Sequence, residues 1–335
     1  FLFAGTDGNG VYRSSDNGGS WQNCTGGIPN QKINCFYQED SIIFAGTDGS
    51  GIFVSTNAGN TWTSRNSGLN YLYVKSIMRS GIYIFAATSN GIFSSITRGM
   101  NWLYSNSGIP DNTNVSCLEK NGTYIFAGTT YSSGFYASTN NGTTWFQRNS
   151  GLPLYSIINH ILVSVGTIYV STGNGLFYST NNGSSWSILG QGIYYQDLFG
   201  LAKNGNTLLS ASGMGVFKSS NLGMNWSLAT QGFPPNISVY DFAVKGTDIY
   251  AGTYGSGVFK STDSGLSWNA KNNGLRNFKV ESFLVRSDII FTSTDEGIYK
   301  SENNGELWEN VFPNKLVNTL VQAGNYIFPK FSVIF

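Results

Sequence analysis

Three aspartates share one local setting. Asp7 lies in Gly5-Thr6-Asp7-Gly8, Asp48 in Gly46-Thr47-Asp48-Gly49, and Asp295 in Ser293-Thr294-Asp295-Glu296-Gly297. Brought to one sector, three carboxylates could hold a calcium ion, a hard cation that takes oxygen ligands, or accept hydrogen bonds from sugar hydroxyls. The competing reading is that each caps its own turn, since Asp-Gly is an ordinary turn pair. Tyr131 and Tyr254 occupy comparable places, and Tyr71, Tyr73, Tyr155, Tyr194, Tyr195 and Phe278 fall in or near the segments that join recurring units. Exposed rings there could stack on sugars or anchor a protein partner. Many of them are expected to plug gaps instead.

Other chemistry is sparse. His160 is the only histidine, and no Ser or Cys nucleophile motif surrounds it, so a core or channel histidine is expected. Asp241 stands at the equivalent place two units later and reads as a channel-lining polar residue. Cys24, Cys35 and Cys117 are odd in number and lack C-x-x-C spacing, which argues against a disulfide framework or a zinc site. Neither a phosphate-cradling G-x-x-x-x-G-K-[ST] nor an H-E-x-x-H is present. A net charge of +1 gives no electrostatic footing for nucleic acid or an acidic membrane. No run of 18 apolar residues is present, so no membrane insertion is expected. The chain opens inside a repeat, as a processed or trimmed N-terminus would.

What must position these residues is a repeat. Ser14-Ser15-Asp16-Asn17-Gly18-Gly19-Ser20-Trp21 recurs with its last residue at Trp62, Trp102, Trp145, Trp186, Trp226, Trp268 and Trp308, which together are all 8 tryptophans. The acidic or amide position is Asp16, Asn57, Asn140, Asn181, Asn221, Asp263 and Asn303, with Thr97 as the exception in the third copy. Copies spaced 40 to 43 residues apart indicate repeated supersecondary units. Within one unit, Ile33–Gln38, Ser41–Thr47, Ile52–Ser55 and Trp62–Arg65 read as four short strands separated by turn signals, which is the blade of a β-propeller. The high glycine count (42) and the low charged fraction (11%) suit short strands and tight turns.

The N-terminal Phe1–Thr6 matches strand two of a unit, while Val317–Gln322 supplies an inner strand after the last repeat. The expected fold is therefore all-β: one eight-bladed propeller of four-stranded antiparallel blades over residues 1–323, with the repeated turn between strands three and four. Strand 316–322 would close it by completing the first blade. A seven-bladed ring with an extra blade, or a piece of a longer array, is the alternative. Asn325–Phe328 repeats the strand-two pattern, so 324–335 is an extra strand or tail that could pair with a second copy. Thr97 and Leu307 break the turn pattern, and their turns should be the loosest.

The phrase S-x-[DN]-x-G-x-[ST]-W resembles the Asp-box, or BNR, repeat. The whole unit, from Phe44-Ala45-Gly46-Thr47 through Gly51-Ile52-Phe53 to Asn66-Ser67-Gly68-Leu69, resembles secreted bacterial repeat propellers. Sialidases, xyloglucanases, sortilin-type ectodomains and photosystem II assembly factors carry such boxes too. The resemblance implies a secreted or cell-surface protein, and it places ligands at the strand two-to-three loops and interblade crossovers, opposite the boxes. A sialidase would need three clustered arginines. All of Arg13, Arg65, Arg79, Arg98, Arg148 and Arg286 fall in strands, box turns or box-end positions, leaving only Arg276. A non-enzymatic binding or adhesion module for glycan or extracellular protein is the preferred reading. A glycoside-active enzyme with an unseen carboxylate pair, or an assembly factor or structural subunit, stands as alternative. No cofactor beyond calcium is implied.

Overall fold

The computed structural model describes residues 1–130, 133–164, 166–189, 198–221 and 223–322. Its strands form eight separate four-stranded antiparallel sheets, an all-β, eight-bladed propeller. Contacts gather the chain into two compact units, residues 1–24 with 190–335, and residues 25–189. The second unit holds the second to fifth blades, which begin at Ile33, Val74, Val115 and Ile158. The first unit holds the sixth to eighth blades, beginning at Leu198, Val239 and Val280, and the first blade, where Leu2–Thr6 pairs antiparallel with Val317–Gln322.

The blade forms because each strand meets a different environment. Strand two is an unbroken buried run, as in Ile42–Thr47, since it is covered on both faces. Strand four is only two residues long in most blades and exposed, as in Thr63–Ser64. Between neighbouring blades the cores interdigitate. Phe44 and Val54 of the second blade share a cluster with Val74, Ile77 and Trp102 of the third. Tyr250 and Val258 of the seventh blade pack with Val280, Phe283 and Trp308 of the eighth.

The repeated turn forms in all eight copies. Its leading serine accepts the amide of the turn glycine, from Gly18 N to Ser14 Oγ at 2.7 Å through Gly305 N to Ser301 Oγ at 2.9 Å. The Asp or Asn accepts the amide just before the tryptophan, as Thr61 N does to Asn57 Oδ1 at 2.9 Å. The third copy was expected to be loose, yet Thr97 Oγ1 does the same work, accepting Asn101 N at 3.0 Å. In the eighth, Leu307 N still donates to Asn303 Oδ1 at 2.9 Å. The closing tryptophans wedge between blades: Trp102 Nε1 donates to Arg65 O at 2.9 Å, and Trp145 Nε1 to Ser105 O at 2.8 Å. Trp21 departs from this pattern. It is half-buried and leans on Phe312 at 5.8 Å between ring centres.

Arginine positions follow the same logic. Arg65 Nη1 donates to Arg98 O, Arg148 Nη1 to Asn182 O, and Arg79 pairs with buried Glu39, so these cations brace the box ends of adjacent blades.

Candidate functional site

The strand two-to-three loop of every blade starts from a buried hydroxyl. Thr6, Thr47, Thr253 and Thr294 donate to the carbonyl of the glycine that opens strand three, at 2.7 to 3.3 Å, and accept a loop amide in return. Asp7, Asp48, Tyr254 and Asp295 each follow that hydroxyl directly, so a rigid base presents them. A second clamp ties the loop to the next crossover. Gly255 N and Gly257 N both donate to Phe278 O, at 3.0 and 2.9 Å, as Gly49 N and Gly51 N do to Leu72 O.

The inner strands add a feature that fixes which side chains reach this end. In every blade the pairing of strands one and two slips by one residue near its start, for example between Val280 and Ser282. Such a bulge leaves one residue unpaired and re-aims its side chain. The bulged residues include Asn34, Lys75, Ser116, Tyr240 and Glu281.

In the seventh and eighth blades these devices converge. Lys279, the crossover residue before Val280, forms a β-bridge with Tyr254. Its Nζ lies 2.7 Å from Glu281 Oε1 and 3.0 Å from Asp295 Oδ1, and 5.5 Å from the centre of the Tyr254 ring. Tyr240 stands 5.5 Å from Tyr254, tilted. Burial works against the Lys279 charge, but hydrogen bonds to Glu281 and Asp295 hold its pKa well above the ordinary lysine range. Burial, and then the negative charge of Glu281, push the Tyr240 phenol up. Tyr254 remains 55% exposed and Phe278 42% exposed. The site is thus a pinned ion cluster edged by open aromatic surface.

The second and third blades carry a different version. Asp48 bridges to Tyr73 and accepts Asn34 Nδ2 at 3.2 Å, and burial lowers the pKa of nearby Lys75 while Asp48 opposes that shift. In the first blade, Asp7 is exposed and its amide donates to Leu316 O at 3.0 Å. Among the described residues, no group of three or more His, Cys, Asp or Glu side chains is placed to hold a metal ion. Asp295 is engaged with Lys279. Tyr131, Tyr194 and Tyr195, and the tail 324–335, lie outside the described residues.

Two expectations change. Tyr73, Tyr155, Tyr254 and Phe278 do not plug interblade gaps; they stand exposed. Asp241 is fully buried and accepts Phe283 N at 2.9 Å, so it staples the seventh blade to the eighth rather than lining an open channel. His160 sits on an inner strand, and desolvation lowers its pKa to about 4. Sequence reasoning passed over Tyr240, Lys279 and Glu281. Lys279-Val280-Glu281 and Tyr73-Val74-Lys75 place chemistry-bearing residues on both sides of an equivalent buried valine, but the bulge that aims them leaves no mark in the sequence.

A family model for the DUF6242 beta propeller domain matches residues 100–243. No curated protein sequence matches the chain. Solved structures resemble it in fold at low identity. One is the extracellular domain of a candidate one-component system from B. thetaiotaomicron, 14% identical with a TM-score of 0.56, covering 92% of this chain and 52% of its own. This chain thus spans about half the length of that one. A GH74 xyloglucanase from Xanthomonas campestris is 13% identical, with a TM-score of 0.52 and coverage of 92% and 71% respectively. YCF48 bound to D1 peptide is 12% identical, with a TM-score of 0.56 and coverage of 78% and 90%. Neighbours so different in kind show the fold alone.

Proposed function

We propose that residues 1–323 form a non-enzymatic, secreted or cell-surface propeller of the Asp-box type, which binds glycan or an extracellular protein at its strand two-to-three loops and crossovers. The observation that carries this reading is the Tyr254–Lys279–Glu281–Asp295 cluster, where a fixed set of donors and acceptors adjoins exposed rings. Binding sites combine apolar surface with a few placed polar groups in this way. The extracellular neighbour and the peptide-bound neighbour favour the same class of role.

Hydrolysis fits the geometry less well. Glu281 and Asp295 are a carboxylate pair of the kind a glycosidase uses, but the two groups of such an enzyme must flank the scissile bond. Here Lys279 fills the space between them and bonds to both. The reading is tested by a broad glycan array alongside chromogenic glycosides. Retention of glycans without turnover is expected. Turnover that survives repurification and disappears in Glu281→Gln would make the chain an enzyme.

A further inference from the structure

Resting on the binding-module reading, we infer that Tyr254, Lys279, Glu281 and Asp295 form a subsite for one neutral pyranose ring of a glycan chain. Three features specify that ligand. The first is the ring: more than half of the Tyr254 surface is open, and Phe278 beside it in the crossover is 42% exposed. An aromatic ring of this kind offers an apolar face to the C–H face of a sugar.

The second is the polar set. Glu281 and Asp295 are acceptors only, and both keep partial exposure in their side chains, 19% and 39%. Lys279 directs two N–H groups at them and has a third to give. Vicinal hydroxyls, each both donor and acceptor, match such an alternation of acceptor, donor and acceptor.

The third is charge. Two carboxylates against one ammonium leave the cluster net negative, which disfavours uronic and sialic acids through like-charge repulsion. A neutral sugar meets no such cost.

The arrangement is also pre-organised. Thr253 and Thr294 hold the bases of both loops, Phe278 O accepts two loop amides, and the salt bridges fix the lysine. Little side-chain freedom is left to lose on binding. The second and third blades do not reproduce this set: there Asp48 takes the loop position of Tyr254, and Tyr73 the crossover position of Lys279.

The test is calorimetric titration with cellohexaose, mannohexaose and xylohexaose, with hexagalacturonate and hexalysine as charged controls. Binding of at least one neutral hexasaccharide is expected. Tyr254→Ala and Glu281→Gln should each weaken it about tenfold, while Tyr254→Phe stays close to wild type. Melting curves establish that each variant is folded. If Tyr254→Ala melts early, Tyr254→Leu and Glu281→Gln carry the test. Neutral-sugar binding that persists unchanged in the variants would overturn the subsite and leave the binding-module reading standing. Binding of hexagalacturonate or hexalysine alone would overturn it in favour of a charged ligand. Silence from all five probes overturns it too. If the glycan array and extracellular protein preparations are also silent, the binding-module reading falls with it.

Discussion

At position 160 the inner strand of the fifth blade carries a histidine where other blades have Ser76, Cys117 or Ser282. Desolvation lowers its pKa from 6.5 to about 4. The unfolded chain therefore binds this proton more readily than the folded one. Stability is fully present above pH 6.5, falls as pH drops toward 4, and loses nothing more from this group below that. The full shift corresponds to roughly 3 kcal/mol, and partial solvent contact reduces it to on the order of 2. The wild-type urea midpoint should fall by more than that of His160→Gln between pH 7 and pH 5. Parallel midpoints at both values would show that the imidazole is solvated. A second residue-level prediction concerns Ala58, whose φ of 55° is left-handed, where Asn17, Asn141, Asn182 and Asn304 stand in other copies of the turn. Asparagine tolerates that region better, so Ala58→Asn should stabilise by about 1 kcal/mol in thermal melts. An unchanged or lower midpoint would mean that neighbours already relieve the strain.

At the scale of elements, the segment after strand four is as structural as the turn before it. Asn66 caps strand three, accepting Ile52 N at 2.7 Å and donating to Ser50 O at 2.9 Å. Two residues on, Gly68 has φ of 78°, and a Cβ there would lie 2.1 Å from Trp102 O in the next blade. Gly68→Ala should therefore cost about 3 kcal/mol or more, combining a disfavoured backbone with a clash against main chain. A melting midpoint near wild type would mean that the two blades can move apart cheaply. The turn before strand four was legible in the sequence because its Ser, Gly and Trp return at fixed offsets eight times, and the segment after it because an Asn-x-Gly follows in several copies. The site was legible only in part. Tyr254 and Asp295 were reachable because they follow a Thr in the repeat register. Tyr240 and Glu281 were not, since a one-residue bulge decides where they point, and strand propensity does not encode it. Nor does the register reveal that Lys279 ties Asp295 to Glu281; that contact depends on three-dimensional reach.

For the whole molecule, the proposed binding function separates residues that hold the blades from residues that would face a ligand, so stability and binding should respond to different substitutions. Trp145 is buried and hydrogen-bonded to the preceding blade, so Trp145→Ala should lose about 3–5 kcal/mol while leaving ligand affinity unchanged. The opposite pattern is expected of Tyr254→Ala. The first blade supplies a sharper test of how the chain is held. Its second strand, Leu2–Thr6, is near the N-terminus, and its inner strand, Val317–Gln322, comes from more than 300 residues later. Removing residues 317–335 would leave the Leu2–Thr6 edge without its ladder partner and uncover Leu2 and Ala4, which pack with Val317 and Phe291. An open apolar edge recruits other chains, so the truncated protein should melt earlier and scatter light in proportion to its concentration. A synthetic peptide spanning residues 315–324 should bind that edge by strand addition and return the truncated protein to the monomer. If the truncated chain stays monomeric and melts with wild type, the long-range strand pair contributes nothing measurable, and the hydrophobic contacts of the remaining three strands suffice to hold the first blade.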